Sequence, residues 1–153
     1  MTQFKQALSY DDVLLAPQYS DIESRSEVSL ASELDKDNKF ELPIIASPMD
    51  TVVEAEMALA LAEVGALGVV HRYNTILEQK RMVWNVANAA PNKPVAAAIA
   101  VTGDFMERAE ALYNAGVTIL CVDVAHGHHI MMKDALKRLR RDLPDNVHIM
   151  AGN

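Results

Sequence analysis

The sequence has a single cysteine, so it cannot form an internal disulfide, and a reducing, cytoplasmic setting is expected. Long apolar runs are absent too. The longest, around Pro94 to Val101, falls far short of the about 20 residues a membrane span requires. Met1-Thr2-Gln3-Phe4-Lys5 has no apolar signal-peptide core. Positive charge is scarce, with 14 Lys and Arg against 21 Asp and Glu for a net charge of -7. Arg138, Arg140 and Arg141 form the one basic cluster, which makes nucleic acid a poor candidate partner. Low-complexity tracts are missing, and a half-apolar composition excludes a disordered chain. What remains is one domain, able at this length to bury roughly 68–70% of its unfolded surface.

After about forty residues the chain alternates short apolar runs with amphipathic ones. Strands are expected at Leu42–Ala46, Leu67–Val70, Val95–Val101, Thr118–Val122 and Val147–Ala151. Thr51 with Glu54, and Thr75 with Glu78, have capping-box spacing, and Asp104 with Glu107 marks a third helix start. In the first helix Val53, Met57, Leu61 and Val64 recur at helical intervals, and Gly65 and Gly116 are natural stops for the first and third helices. A fourth helix is expected from near His128 to Leu143, ending at Pro144. Continuous apolar strands alternating with helices mean a parallel sheet covered by helices. That α/β pattern fits either a (β/α) barrel, here four βα units plus a fifth strand, or a doubly wound open sheet. Residues 1–41 do not join the repeat and are expected to pack on residues 42–153 as an extension. Within it, Ser24–Ala31 alternates as a two-sided strand would, and Asp35–Lys39 reads as a charged turn.

In parallel α/β folds function collects at the carboxyl ends of strands, which directs attention to the residues just after each apolar run. Ser47-Pro48-Met49 follows the first strand, and methionine offers an adaptable apolar surface to a flat ligand. Asp50 and Thr51 beside it read as helix caps. Arg72 follows the second strand and could hold a phosphate or a developing negative charge. Asp123 follows the fourth and could accept hydrogen bonds from sugar hydroxyls. His126, His128 and His129 match no metal-ligand spacing and read as helix-start residues. Cys121 lies inside a strand and reads as a small core residue. There is no P-loop and no GxGxxG turn after the first strand, which weighs against the doubly wound alternative.

Several stretches together carry a resemblance to a known family. They are Leu8 to Pro17, Ala46 to Thr51, Leu67 to Arg72, Thr102-Gly103-Asp104, Asp123 to His128, and Ala151-Gly152-Asn153. In these the chain resembles the IMP dehydrogenase and GMP reductase family over essentially its whole length. The resemblance implies a TIM-barrel fold and chemistry on a purine nucleotide monophosphate with NAD or NADP. It implies nucleotide contacts at Ser47 and Met49. It also implies Asp123 beside the nicotinamide ribose, with Val124 and Ala125 next to it and Asn153 close to the reacting groups. A homo-oligomer, a tetramer in the family, is implied as well.

The family's dehydrogenases convert IMP, NAD and water to XMP and NADH, whereas its reductases convert GMP and NADPH to IMP and ammonia. Ser47 to Thr51 and Gly103 to Gly116 look more like dehydrogenases. Ser24 to Glu27 and His71 to Tyr73, and the lack of regulatory CBS modules at Asn88–Pro94, look like some reductases. Many reductases place a lysine at the position of Arg72, so the dehydrogenase reaction is the expected one. The family's nucleophilic cysteine lies in a Gly-rich loop after a sixth strand, and its potassium ion is held in a loop that this sequence also lacks. No catalytic residue beyond a role for Arg72 is therefore expected, and no turnover by this polypeptide alone. A non-catalytic half-barrel that pairs its open strand edges with a second copy is the competing expectation.

Overall fold

A computed structural model describes residues 5–153, and Met1 to Phe4, expected to hold no leader core, lie outside the described residues. The alternation is realised as five parallel strands in strictly sequential order. After a short hairpin of β1 (Ser32–Glu33) and β2 (Lys39–Phe40) come β3 (Ile45–Ala46), α1 (Ala55–Glu63), β4 (Leu67–Val70) and α2 (Ile76–Ala89). They are followed by β5 (Ala96–Ile99), α3 (Phe105–Tyr113), β6 (Ile119–Val122), α4 (Ile130–Asp142) and β7 (His148–Ala151). A doubly wound sheet reverses its strand order at a switch point and carries helices on both faces. Here neighbours pair in turn, from Ile45 beside Leu67 to Val122 beside Ala151. The fold is thus α/β with a five-stranded parallel sheet, compatible with part of a TIM barrel.

The strand period of two divides the core cleanly. Val70, Ala97, Ile99, Leu120 and Val122 share one cluster with residues of all four helices, among them Ala58, Val83, Leu112 and Leu139. The alternate residues Leu67, Val69, Ala96, Ala98, Ile119 and Cys121 face the other way, together with Phe40 from the hairpin. Burial on both faces explains why these strands read as unbroken apolar runs. Residues 5–31 are exposed along their length, and the hairpin is the part of the amino-terminal region that reaches the sheet, through Phe40.

Four local expectations are corrected. The Thr51–Glu54 capping box does not form. The amides of Val52 and Val53 both donate to the Met49 carbonyl at 3.0 Å, so residues 49–53 are spent on a turn and α1 begins only after Glu54. The apolar stripe of α1 is also rotated from the expected one. Ala58 and Ala62 are buried, whereas Met57 and Val64 are 46% and 54% exposed. The reason lies in β4, where a Cβ at Gly68 would stand 2.8 Å from the Cα of Ala58, so the helix rides too close for large side chains. Ser24–Ala31 is not a strand. Ser24 and Glu27 instead cap a short 3-10 turn over Arg25–Glu27, and pairing starts at Ser32. Lastly, α4 starts at Ile130 rather than near His128, because the Nδ1 of His129 accepts from the Met131 amide at 3.2 Å and caps it. The Thr75–Glu78 box does form, with Glu78 N donating to Thr75 Oγ1 at 3.2 Å and Thr75 N donating to the Glu78 carboxylate at 2.9 Å. Asp104 stands at the start of α3 without capping it and pairs instead with Arg108 at 3.0 Å.

Candidate functional site

Every polar residue singled out from the sequence follows a strand at the carboxyl edge of the sheet. After β3, Ser47 and Met49 are exposed in the turn that the Met49 carbonyl closes, with the Met49 amide donating to the Ser47 carbonyl at 2.8 Å. After β6, Asp123 and Val124 are half-buried and Ala125 is exposed. After β7, the Asn153 carboxamide donates to the Ala125 carbonyl at 2.9 Å, and the Gly152 amide donates to Val122 at 3.0 Å. A Cβ on Gly127 would meet the Gly152 carbonyl at 2.9 Å, so the two strand-end loops touch where only glycine fits. The structure therefore brings Asn153 onto the Asp123–Ala125 segment. Ser47 and Met49 stand at the other side of the sheet, across β4 and β5.

Between them, after β4, lies a polar cluster the sequence reading did not resolve. Arg72 is half-buried, and its guanidinium carbon sits 5.1 Å from the centre of the Tyr73 ring, a cation–π contact. His71, 3% exposed, accepts from the Tyr73 amide through Nδ1 at 3.1 Å, which places its proton on Nε2. That Nε2 lies 3.5 Å from the Glu54 carboxylate and has no hydrogen-bond partner among the described residues. The Nε of Arg72 and the Oδ1 of Asn74 are likewise buried and unpartnered there.

A second buried network holds this loop from behind. Arg108 Nη1 donates to Gln79 Oε1 at 2.8 Å, and Nη2 donates to the Asn74 carbonyl at 3.1 Å and to Asp104 at 3.0 Å. The Gln79 carboxamide in turn donates to the Ala98 carbonyl at 2.8 Å. Neither residue was selected from the sequence, although a signal existed. Gln79 and Arg108 sit at apolar-stripe positions of α2 and α3, four residues before Val83 and three after Phe105. A polar residue on a buried stripe calls for a specific partner.

Cys121, on the face away from the helices, is 7% exposed. Burial first, and the Asp123 carboxylate second, push its thiol up to about 11. The thiolate is the nucleophile, so at pH 8 only about one molecule in a thousand would present it. Ellman's reagent should therefore leave Cys121 unmodified in the folded protein and label it fully in denaturant. Prompt labelling of the native chain would contradict a structural role.

A parallel α/β sheet with polar loops gathered at its carboxyl edge is the arrangement in which proteins of this class hold small ligands at strand ends. Residues 7–153 match the family described as "IMP dehydrogenase / GMP reductase domain". An inosine-5'-monophosphate dehydrogenase of Borreliella burgdorferi is 30% identical over 197 residues, covering 97% of this chain and 48% of its own. A GMP reductase of Vibrio parahaemolyticus is 32% identical over 151 residues, covering 95% of this chain and 43% of its own. A dehydrogenase of Nitrosopumilus maritimus is 45% identical over 84 residues, 55% of this chain and 18% of its own. The chain belongs to the IMP dehydrogenase / GMP reductase family, a family of purine-nucleotide oxidoreductases. It spans about half the length of the curated relatives it matches from end to end. Among the described residues no helix is long and apolar enough to cross a membrane.

Proposed function

We propose that the chain contributes the first half of the substrate site of an IMP dehydrogenase, the reaction being IMP, NAD and water to XMP and NADH. The observation that carries this reading is the junction of Asn153 with Asp123–Ala125 at the carboxyl edge of the sheet, in a chain of this family. Ser47 and Met49 would contact the nucleotide, Met49 offering an exposed apolar surface to the purine. Asp123 would accept hydrogen bonds from the nicotinamide ribose, with Val124 and Ala125 along its flank and Asn153 near the reacting carbon. The donor chemistry of this edge suits a dinucleotide. Asp123 is half-buried and forms no ion pair among the described residues, which leaves its carboxylate to accept from ribose hydroxyls. When bound, the nicotinamide supplies the hydride acceptor. No potassium ligand is proposed within these residues.

Arg72 favours the dehydrogenase direction, since a guanidinium stays protonated and cannot relay a proton to departing ammonia. Its place would be beside the nucleotide's developing negative charge. The opposite direction, GMP and NADPH to IMP and ammonia, keeps one supporting observation. The reductase of Vibrio parahaemolyticus matches over a stretch no longer than this chain, whereas the Borreliella burgdorferi dehydrogenase match is longer than the chain and so includes inserted residues.

Cys121, buried and with its thiol raised, is poorly placed to act as a nucleophile on the purine. The purified chain should show no hydride transfer with IMP plus NAD or with GMP plus NADPH. Reproducible nucleotide-dependent turnover would overturn that expectation. Amide spectra of the labelled chain test the site itself. IMP should shift Ser47 and Met49, NAD should shift Asp123, Ala125 and Asn153, and undisturbed signals at millimolar ligand would dismiss the assignment.

A further inference from the structure

The opposite, amino-terminal edge of the sheet holds a second cluster with donor chemistry of its own. One oxygen each from Asp35 and Asp37, in the β1–β2 turn, and one nitrogen of His148, at the start of β7, lie within 4.8 Å of one another. We propose that these three side chains form a site for a divalent transition-metal ion, Zn²⁺ in particular, that clips the hairpin to the last strand.

Three observations carry it. First, the donor set mixes an imidazole with two carboxylates and joins two elements distant in the chain. That mixture suits zinc, while calcium and magnesium favour all-oxygen shells. Second, one ligand is already oriented. Asp35 Oδ1 accepts from the amides of Asp37 and Asn38, both at 2.9 Å, and the Asn38 carboxamide donates to Oδ1 and Oδ2, each at 3.0 Å, which holds the carboxylate with Oδ2 facing His148 Nδ1 at 2.8 Å. Third, negative charge is in excess on partly desolvated groups. The Asp35 and His148 side chains are 33% and 25% exposed, and Lys39 of the hairpin is engaged with Glu33 at 2.8 Å. Lys36 approaches Asp37 at 3.8 Å but is almost fully solvated, and Lys93 lines the adjoining groove.

Tetrahedral zinc ligands stand about 3.4 Å apart, given metal–ligand distances near 2.1 Å. Closing from the present spread of up to 4.8 Å therefore needs a shift of at most about 1.4 Å in the turn. The groove beside His148, lined also by Asn38, Asn92 and Asn146, leaves room for the water that completes the shell. His148 would present a deprotonated nitrogen, and its present hydrogen bond to Asp35 is the contact the ion replaces.

The test is calorimetric titration of the full chain with ZnCl₂, with the visible absorption of bound Co²⁺ as a second readout. One saturable site is expected, weakened at least about tenfold by His148→Gln and by Asp37→Asn. Asp37→Asn leaves the direct Asp35–His148 pair intact, so its loss of affinity cannot be laid to that pair. Replacing His126, His128 and His129 with glutamine, at the other edge of the sheet, should leave this site in place. The proposal falls if no saturable binding is seen, if Asp37→Asn and His148→Gln bind as the parent does, or if only the triple replacement abolishes binding. This site is independent of the nucleotide reading, and failure of either leaves the other standing.

Discussion

Replacing Arg108 with methionine should lower stability by about 2–4 kcal/mol, read as a fall in urea midpoint at unchanged m-value. The estimate rests on what is left behind. Gln79 Oε1, fully buried, loses its donor at 2.8 Å, and the Asn74 carbonyl loses one at 3.1 Å. Each unpaired buried acceptor costs about 1–3 kcal/mol. Asp104, about half-exposed, is recovered by water and adds little. Methionine keeps much of the aliphatic volume, so a cavity does not dominate the loss.

The same variant separates a hydrogen-bond network from mere packing. Changing Gln79 to leucine alone should also be destabilising, because it strands a guanidinium nitrogen and the Ala98 carbonyl. Combining the two changes should cost clearly less than their sum, since the principal donor and acceptor are then both removed. Strict additivity would mean the two side chains are not coupled, and would sink this account. The network also fixes Asn74, which closes the loop carrying His71, Arg72 and Tyr73. Loosening it should broaden the amide signals of residues 71–74 before those of β6.

The order of elements was legible from periodicity because the strands are buried on both faces and the helices end at glycine or proline. What periodicity could not supply was the rotation of an element about its own axis. The run Val53, Met57, Leu61, Val64 satisfies a helical stripe as well as Ala55, Ala58, Leu59, Ala62 does. The choice between them is made by Gly68 on another element. Capping boxes show a related ambiguity. Thr75–Glu78 and Thr51–Glu54 have identical spacing, but the second is pre-empted by a turn on Met49, whose carbonyl captures two amides first. The edge carrying Ser47, Met49, Arg72, Asp123 and Asn153 could be read in advance because each residue directly follows a strand. The approach of Glu54 to His71 and the Gln79–Arg108 pair could not, since each joins residues of two different βα units.

Gly68→Val should be about as damaging, at about 3 kcal/mol or somewhat more, and for a purely steric reason. Valine is a better strand residue than glycine, so propensity alone predicts a small gain. Against that, the first added carbon would already stand 2.8 Å from the Ala58 Cα, with the Ala58 Cβ and Leu61 Cδ1 both at 3.2 Å. Two of these contacts are side-chain atoms, but the tightest is backbone, so repacking cannot relieve it and α1 must move outward. A second change, Ala58→Gly, removes the 3.2 Å contact with the Ala58 Cβ and keeps the 2.8 Å one, so it should fail to rescue. Outward movement of α1 drags Glu54 from its approach to His71 and disturbs the turn on Met49. The amide signals of Ser47 and Met49 should therefore shift in Gly68→Val. A variant within 0.5 kcal/mol of the parent, or one rescued by Ala58→Gly, would show that the approach of α1 to β4 is not what selects glycine there.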